Sequence, residues 1–481
     1  MSPAPGTLRG VTEFDPSGYE RFAYAGVGVD PATLTIVGRY RLSGAAGRLD
    51  FTETFKLAPD AAADDAALGR APSSAARTAA LRRIARLLWL AAGVSYYKTA
   101  APPIVDVPAL TPAERAWLDG LYREGLGEFA YENGIDLARR PRFEIADGDG
   151  PPQAPLEGLD LPRRSLVAVG GGKDSCVSLE VLRAAGEEVL PFSVGGHRAA
   201  RDCAAAAGLP VAVAGRVLDP RLRELNRAGA LNGHVPVTAI VSLVAVAQAV
   251  VSGADEVVFS NERSANVPSV WAHGLPVNHQ YSKGLAAERL LRGVLAEGTP
   301  ELTYYSLLRP LSELQIAAVF ARLDAYHPVF TSCNAAFRLD EGRRVERWCG
   351  HCPKCRFVAL VLAPFVRRQR LAEVMSADLL ADARQLDGYR ELLGLTGFKP
   401  FECVGEIEES RVALVLADGG RQWRDAAPVR QLLEELRAAE PAPGAAEIAA
   451  AFTPSPDHDL PPHAHAALTE ILRPVEPLAL A

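Results

Sequence analysis

The stretch that decides the fold is "VGGGKDSCVS", residues 169–178. It follows the apolar run "SLVAV" and precedes the helical pattern "LEVLRAAG", so it predicts a strand, a glycine loop and a helix. The N–H groups of such a loop and the amino end of such a helix are suited to hold phosphate. The loop is not a P-loop, because Asp174 follows Lys173 and residue 167 is Val. It is not a dinucleotide fingerprint either, since Ser175 stands where that motif has its last glycine.

The sequence around this loop predicts an α/β fold with a doubly wound parallel sheet. From residue 165 apolar strands alternate with helices, and ligands of such sheets bind at the carboxyl ends of the strands. We expect a smaller N-terminal α+β domain that begins with antiparallel strands, then a linker, the sheet domain, a helical C-terminal region and a low-complexity tail. The predicted boundaries are 1–145, 146–164, 165–375, 376–437 and 438–481.

The glycine loop resembles the S-G-G-x-D-S loop of the PP-loop ATP pyrophosphatases, whose fold is HUP-like. The matching residues are Gly170, Gly171, Gly172, Lys173, Asp174 and Ser175, with Gly170 in place of the serine. The resemblance implies that ATP is cleaved between its α and β phosphates and that AMP is joined to a substrate oxygen. In that chemistry the glycine amides and Ser175 hold pyrophosphate, Lys173 neutralises it, and Asp174 orients the loop or binds Mg²⁺. The alternative is a strand–helix turn that binds no ligand.

Four cysteines predict a metal module within residues 332–356. Cys333, Cys349, Cys352 and Cys355 have the spacing C-x15-C-x2-C-x2-C, which brings four thiolates to one ion. Four thiolates leave no open position for water, so the favoured interpretation is a structural Zn²⁺. An iron–sulfur cluster is the alternative. The 7-cyano-7-deazaguanine synthases, which are PP-loop enzymes, carry a similar site.

Composition narrows the class of protein. The net charge of −7 disfavours a nucleic-acid partner. The N-terminus lacks the apolar core of a signal peptide, and the longest apolar run, 235–251, predicts a buried helix rather than a membrane span. We therefore expect a cytoplasmic protein whose cysteines are thiols or metal ligands. Six of the 51 basic residues are lysine, so a retained lysine suggests a need for a compact ammonium.

Further polar clusters follow the predicted strands. Asn261, Glu262 and Arg263 come directly after the strand "DEVVFS", where a nucleotide would bind. His279 and Lys283 belong to "VNHQYSKG". Each cluster is equally compatible with a structural loop.

Taken together, the motifs resemble the MurL family, the ATP-dependent UDP-N-acetylmuramoyl-L-alanyl-L-glutamate epimerases. The resemblance rests on "AGVSYYK", "GEFAY", "GGGKDS", "VVFSNERSA", "YYSLLRPLSEL", "WCG-CPKC" and "KPFECVGE" in that order. It implies that the terminal L-Glu of UDP-MurNAc-L-Ala-L-Glu is inverted to D-Glu for peptidoglycan synthesis, with ATP and Mg²⁺ required. A Mur ligase that adds L-Glu would act first. Two alternatives remain: a PP-loop enzyme that modifies a nucleobase or a tRNA, and a non-enzymatic nucleotide-sensing module with a degraded loop.

An epimerase needs a group that removes the proton from the glutamate α-carbon. Cys403 is the leading candidate, because Cys176 and Cys203 lie on apolar helices. Lys399 nearby could lower the pKa of this thiol. His279 and Lys283 are the alternatives, and Cys403 could also simply pack a loop.

Overall fold

The structure is a computed structural model. It describes residues 13–59, 75–137, 141–147, 156, 158–272, 274–338, 342, 344–397, 400–420 and 422–473.

Ten of the twelve described strands form one sheet. The strands are Arg21–Asp30 (β1), Thr35–Gly44 (β2), Gly47–Lys56 (β3), Ile104–Val107 (β4), Arg142–Ile145 (β5), Ser165–Ala168 (β6), Val189–Val194 (β7), Ala212–Val217 (β8), Glu256–Phe259 (β9), Val270–Ala272 (β10), Leu275–Val277 (β11) and Thr303–Ser306 (β12). Their order in the sheet is β12-β9-β6-β7-β8-β3-β2-β1-β4-β5, and β10 and β11 form a separate hairpin.

The half of the sheet that carries the glycine loop is parallel. β6 pairs with β7 on one side and β9 on the other, and β8 and β12 extend the two sides in parallel. In chain order these five strands have the arrangement 3-2-1-4-5, so the connections reverse direction between β6 and β9. The predicted parallel α/β sheet is confirmed, and assignment to the PP-loop class stays a prediction.

The N-terminal strands continue this sheet instead of forming a separate one. β1, β2 and β3 are antiparallel, as their alternating sequence predicts. β3 then pairs antiparallel with β8 through Thr54–Val217, Phe55–Arg216 and Lys56–Gly215. Strand pairing therefore joins the regions that precede and follow the predicted linker at 146–164.

Helices cover both faces of the sheet. They are Ala75–Ala92 (α1), Val94–Tyr97 (α2), Pro112–Arg123 (α3), Gly127–Asn133 (α4), Lys173–Ala184 (α5), Arg198–Ala206 (α6), Arg221–Arg227 (α7), Val237–Ser252 (α8), Leu285–Gly298 (α9), Glu313–Phe320 (α10), Pro353–Leu362 (α11), Arg368–Met375 (α12), Leu386–Leu392 (α13), Ile407–Gly419 (α14), Ala427–Ala439 (α15), Ala445–Ala451 (α16) and Pro462–Leu472 (α17). One hydrophobic core lies around α1 and α8, and a second surrounds α5, α10, α11 and α14.

The longest apolar run is the buried helix α8, as predicted. Gln248 interrupts the run. Its side-chain amide holds the backbone of Ala58, just after β3: it donates to the Ala58 carbonyl at 2.6 Å and accepts from the Ala58 N–H at 3.0 Å. Within the described ranges, no helix is both long and apolar enough to cross a membrane.

The described part of the tail that the sequence marks as low in complexity contains two helices, α16 and α17. α16 and α17 lie on the second core, with Ala464 and Leu468 of α17 buried there. His463 contacts the buried carboxylate of Glu256 at 3.1 Å.

Candidate active site

A cleft opens where the sheet reverses direction, at the carboxyl ends of β6 and β9. Its volume is about 580 Å³. Its lining includes Gly170, Gly172, Asp174, Ser175, Asn261, Lys283, Ser332 and Lys354. The structure thus brings the glycine loop and the residues after β9 to one site, as the parallel topology predicts.

The glycines of the loop have different roles. Gly171 has a φ of +94°, and a Cβ there would lie 2.5 Å from the Ala199 side chain. Gly170 faces open space, so the serine of the related loop would fit at this position. Gly172 begins α5 without a side-chain cap, which leaves the first amides of that helix able to bind an anion.

Lys173 is buried between carboxylates. Its ammonium contacts Asp174 Oδ1 at 2.5 Å and also bonds Glu313 on α10. Burial would lower the pKa of Lys173, but the charges of Asp174 and Glu313 raise it. The lysine is therefore a permanent cation at this end of the cleft.

Three buried glutamates lie at this end of the site: Glu313 bonds Lys173, Glu262 lines the same pocket, and Glu409 interacts with both of these carboxylates. Burial raises the pKa of Glu262 and of Glu313. Burial and the neighbouring charges of Glu262 and Glu313 raise the pKa of Glu409 to about 8. Glu409 Oε2 is buried and has no hydrogen-bond partner among the described residues. Such an excess of carboxylates, one of them unsatisfied, fits a divalent cation.

The three residues predicted to bind nucleotide after β9 separate in the structure. Asn261 lines the cleft, and its amide donates to Ser306 Oγ at 2.9 Å. Glu262 lines the adjoining pocket beside Lys173. Arg263 lines neither space and instead contacts Glu409 at 3.3 Å.

Arg309 connects the loops on which these side chains lie. It is 1% exposed and donates to the carbonyls of Glu262 at 2.8 Å and Lys283 at 2.5 Å. An ion pair with Glu288 at 2.9 Å balances its charge. Arg309 is thus a positioning residue for both loops.

Cys403 lies in a cluster of cationic side chains. Lys283 Nζ donates to its sulfur at 3.0 Å, and the His279 imidazole lies near enough to affect the pKa of the thiol. Burial would raise the pKa of Cys403, but Lys283, Lys354 and His279 lower it well below that of a free thiol. The structure thus unites the three predicted candidates for proton transfer. Lys399 lies outside the described residues, and the neighbouring charges come from Lys283 and Lys354.

Glu128 completes a hydrogen-bonded chain behind the thiol. Its carboxylate accepts from His279 Nδ1 at 2.5 Å. Burial would lower the pKa of His279, but the interactions with Cys403 and Glu128 raise it to about 9. The arrangement favours a thiolate–imidazolium pair at neutral pH. The sequence alone indicates no role for Glu128, although it lies within "GEFAY". The same holds for Glu313, Glu409 and Lys354.

Glu128 and His279 also belong to a group with His234. Their ligand atoms lie within 4.8 Å of one another. The rings of His234 and His279 are 4.3 Å apart. Burial and the charge of His279 lower the pKa of His234 to about 4, so this imidazole is neutral.

A small pocket of about 70 Å³ joins the two ends of the site. Lys173, Asp174, Glu262 and Glu313 line it together with Lys283, Lys354 and Cys403. A group held at the glycine loop therefore faces the thiol.

The four predicted metal-binding sulfurs meet beside the cleft. Those of Cys333 and Cys352 are 3.9 Å apart, and the Cys349–Cys355 and Cys352–Cys355 distances are 3.8 and 3.5 Å. Tetrahedral zinc with Zn–S bonds of about 2.3 Å requires separations of about 3.8 Å. The sulfurs thus fit zinc, and the Cys349 N–H donates to Cys333 Sγ at 3.3 Å, as expected for a thiolate.

Comparison with known proteins identifies the family. Residues 13–307 match the family model described as the MurL N-terminal domain, and residues 329–447 match the MurL C-terminal domain. The chain belongs to the MurL family. The boundary between these models falls after β12, so the MurL N-terminal domain includes the glycine loop and all five strands of the parallel half of the sheet.

Three relatives share the name UDP-N-acetyl-alpha-D-muramoyl-L-alanyl-L-glutamate epimerase. The relative from a Micromonospora species is 48% identical over 92% of this chain and 96% of its own length. The relative from Salinispora tropica is 49% identical over 90% of this chain and 92% of its own. The relative from Xanthomonas oryzae pv. oryzae is 46% identical over 75% of this chain and 80% of its own.

Proposed function

We propose that this MurL protein is an ATP-dependent epimerase that inverts the terminal L-Glu of UDP-MurNAc-L-Ala-L-Glu to D-Glu. The names of the three relatives support the substrate and the reaction. The observation that supports the mechanism is the pocket shared by Lys173 and Cys403, which unites a phosphate-type loop with an activated thiol.

The first step is adenylation of the glutamate α-carboxylate. A carboxylate oxygen attacks the α-phosphorus of ATP, the bond to the β-phosphate oxygen breaks, and pyrophosphate leaves. The amides at the start of α5, with Gly170, Gly172 and Ser175, hold the pyrophosphate. Lys173 offsets the charge that develops on the leaving oxygens.

Mg²⁺ fits the carboxylate-rich end of the site. Asp174, Glu262 and Glu313 would hold it, because the three line one pocket and oxygen ligands suit this ion. When bound, Mg²⁺ supplies charge neutralisation for the phosphates.

The second step is proton transfer at the α-carbon. An α-proton beside a free carboxylate is very weakly acidic, because its removal places a second negative charge next to the first. The mixed anhydride with AMP removes that first charge and allows an enolate-like anion. The Cys403 thiolate takes the proton, Lys283 and His279 stabilise the thiolate beforehand, and Glu128 orients the imidazole. Reprotonation on the opposite face and attack by water on the anhydride give D-Glu and AMP.

Zn²⁺ fits the four cysteines and would be structural. Lys354 lies in the sequence between Cys352 and Cys355, and it lines both the cleft and the small pocket. The cysteines thereby position one of the cations near Cys403.

In the cell the reaction would follow a ligase that adds L-Glu to the UDP-linked precursor, which places it in the cytoplasm. None of the seven cysteines, which all lie in described segments, forms a disulfide bond.

The test is pyrophosphate release from ATP that depends on UDP-MurNAc-L-Ala-L-Glu. The reaction in D₂O should also place deuterium at the glutamate α-carbon. Deuterium incorporation without ATP, or ATP cleavage that ignores this substrate, would contradict the proposal. A hydroxylamine-sensitive acyl adduct on the protein would show that Cys403 acts as a nucleophile rather than as a base.

A further inference from the structure

Lys98, at the end of α2, is a half-buried cation that the mechanism above does not use. Its ammonium donates to Asn232 Oδ1 and lies 3.4 Å from the Gly233 carbonyl oxygen. Among the described residues, no carboxylate lies within ion-pair distance of it, in contrast to Lys173. Its partners are therefore neutral.

The position of Lys98 connects it with the proton-transfer centre. Gly233 precedes His234, whose ring lies 4.3 Å from that of His279. The Leu231 N–H donates to the Thr99 carbonyl at 3.0 Å, which fixes the two segments against each other. The Asn133 amide at the end of α4 donates to the Asn232 carbonyl at 3.0 Å, and α4 also carries Glu128. Lys98 is thus connected to His279 through Gly233 and His234.

A partly buried ammonium without a counter-ion is unfavourable for the folded protein. Burial lowers the pKa of Lys98 to about 8, so it remains largely charged at neutral pH. Lysine is also rare in this chain, with six among 51 basic residues. A costly cation beside a reaction centre is best explained by an anion that arrives with the substrate.

We propose that Lys98, held by Asn232, binds the γ-carboxylate of the terminal glutamate. The inference rests on the proposed function. The α-carboxylate must lie toward Lys173 to be adenylated, and the α-carbon must face Cys403. The γ-carboxylate is the remaining anion on that residue. Lys98, connected to His279 through Gly233 and His234, is a nearby cation that has no carboxylate partner among the described residues. Lys98 would therefore set the preference for glutamate over a neutral residue.

The experiment compares UDP-MurNAc-L-Ala-L-Glu with the matching L-Gln compound in the pyrophosphate-release assay. The wild-type protein should prefer Glu in kcat/KM by about 100-fold or more, since the Gln amide leaves the ammonium unpaired. Lys98→Met should reduce that preference to about 5-fold or less, mainly by raising KM for the Glu substrate. Lys98→Arg should keep a preference for Glu, because the charge remains. Lys56→Met, at an exposed position of β3, is the matched control and should behave as wild type.

A fold defect would not imitate this result, because loss of an unpaired buried charge should leave the melting temperature of Lys98→Met equal to or above that of the wild type. Retention of the Glu preference in Lys98→Met would overturn the inference. An equal loss of kcat/KM on both substrates would also overturn it, and would indicate that Lys98 binds the diphosphate of the UDP group instead. A wild-type protein that releases no pyrophosphate with the Glu substrate would refute the proposed function itself.

Discussion

The two ends of the active-site cleft have opposite electrostatic character. At one end a single ammonium, Lys173, lies among the carboxylates of Asp174 and Glu313. At the other end a single thiol, Cys403, lies among the cations Lys283 and Lys354 and the imidazole of His279. The first environment suits a metal-bound nucleotide, and the second suits an anion that forms during proton transfer. If the proposed mechanism is right, activation of the carboxylate and removal of the proton should respond to different substitutions.

The largest expected effect is on the carboxylate-rich end. Lys173→Ala should lower substrate-dependent pyrophosphate release by about 1,000-fold or more, because it removes the charge that offsets the leaving group and leaves Glu313 and Asp174 unpaired. Asp174→Asn should act in the same direction. Circular dichroism should show that both variants fold, and Lys56→Ala serves as the exposed control. Turnover at the wild-type rate in either variant would show that the carboxylate-rich end does not support ATP cleavage.

The next effect separates the two ends. Cys403→Ala should release pyrophosphate within a few-fold of the wild-type rate but lose deuterium incorporation at the glutamate α-carbon by about 100-fold or more. Mass spectrometry of the substrate recovered from D₂O measures the exchange. Cys176→Ala, which removes a buried thiol of the second core, controls for the loss of a cysteine. Normal exchange in Cys403→Ala would exclude this thiol as the base and direct attention to His279 and Lys283.

The metal module supports the cation-rich end, and its loss should be visible in stability. Elemental analysis should find one zinc per chain. Cys349→Ser or chelation should lower the melting temperature by about 10 °C or more, since binding of a structural metal contributes directly to folding. His351→Ala is the matched control, because this exposed side chain lies in the same loop and bonds only the Cys349 carbonyl in the described structure. Iron with acid-labile sulfide, or a chain without metal, would contradict the zinc assignment.

The smallest effect concerns the pH dependence of the carboxylate-rich end. The pKa of Glu409 in the folded protein is about 8, above the value of about 4.3 expected in the unfolded chain. The folded state therefore binds this proton more tightly, and the resulting stability is present below pH 4 and is lost as pH rises through 8. Without Mg²⁺, Glu409→Gln should be more stable than the wild type by about 1 kcal/mol or more at pH 8 and similar to it at pH 4. A stability difference that does not change with pH would show that this carboxylate is not destabilised by burial.

Features with a local pattern could be predicted from the sequence. The glycine loop, the apolar strands around it and the four cysteines each depend on residues close together in the chain, so spacing alone indicates them. The long apolar run at 235–251 was assigned to a buried helix for the same reason, and α8 confirms it.

Features made by distant residues could not be derived in this way. Glu128 and His279 are 151 positions apart, and Lys173 and Glu313 are 140 apart. Glu313 and Glu409 lie in the first turns of α10 and α14. Acidic residues are common at that position, and the sequence does not distinguish a buried one from one that faces solvent. The sequence does not predict the pairing of β3 with β8. The alternating or apolar residue patterns of these strands are also compatible with strands at the edge of a sheet.

That pairing has a consequence for how the chain can be cut and expressed. A fragment that starts at residue 165 would lose β3 and expose the N–H and C=O groups of β8, and a fragment that ends before it would expose β3 in the same way. Open strand edges of this kind recruit other chains and aggregate. The first hydrophobic core would also be split, because it draws residues from α1 and from α8. Cleavage of the chain between residues 146 and 164 should therefore destabilise both parts, because the N-terminal strands share a sheet and a core with the strands beside the glycine loop.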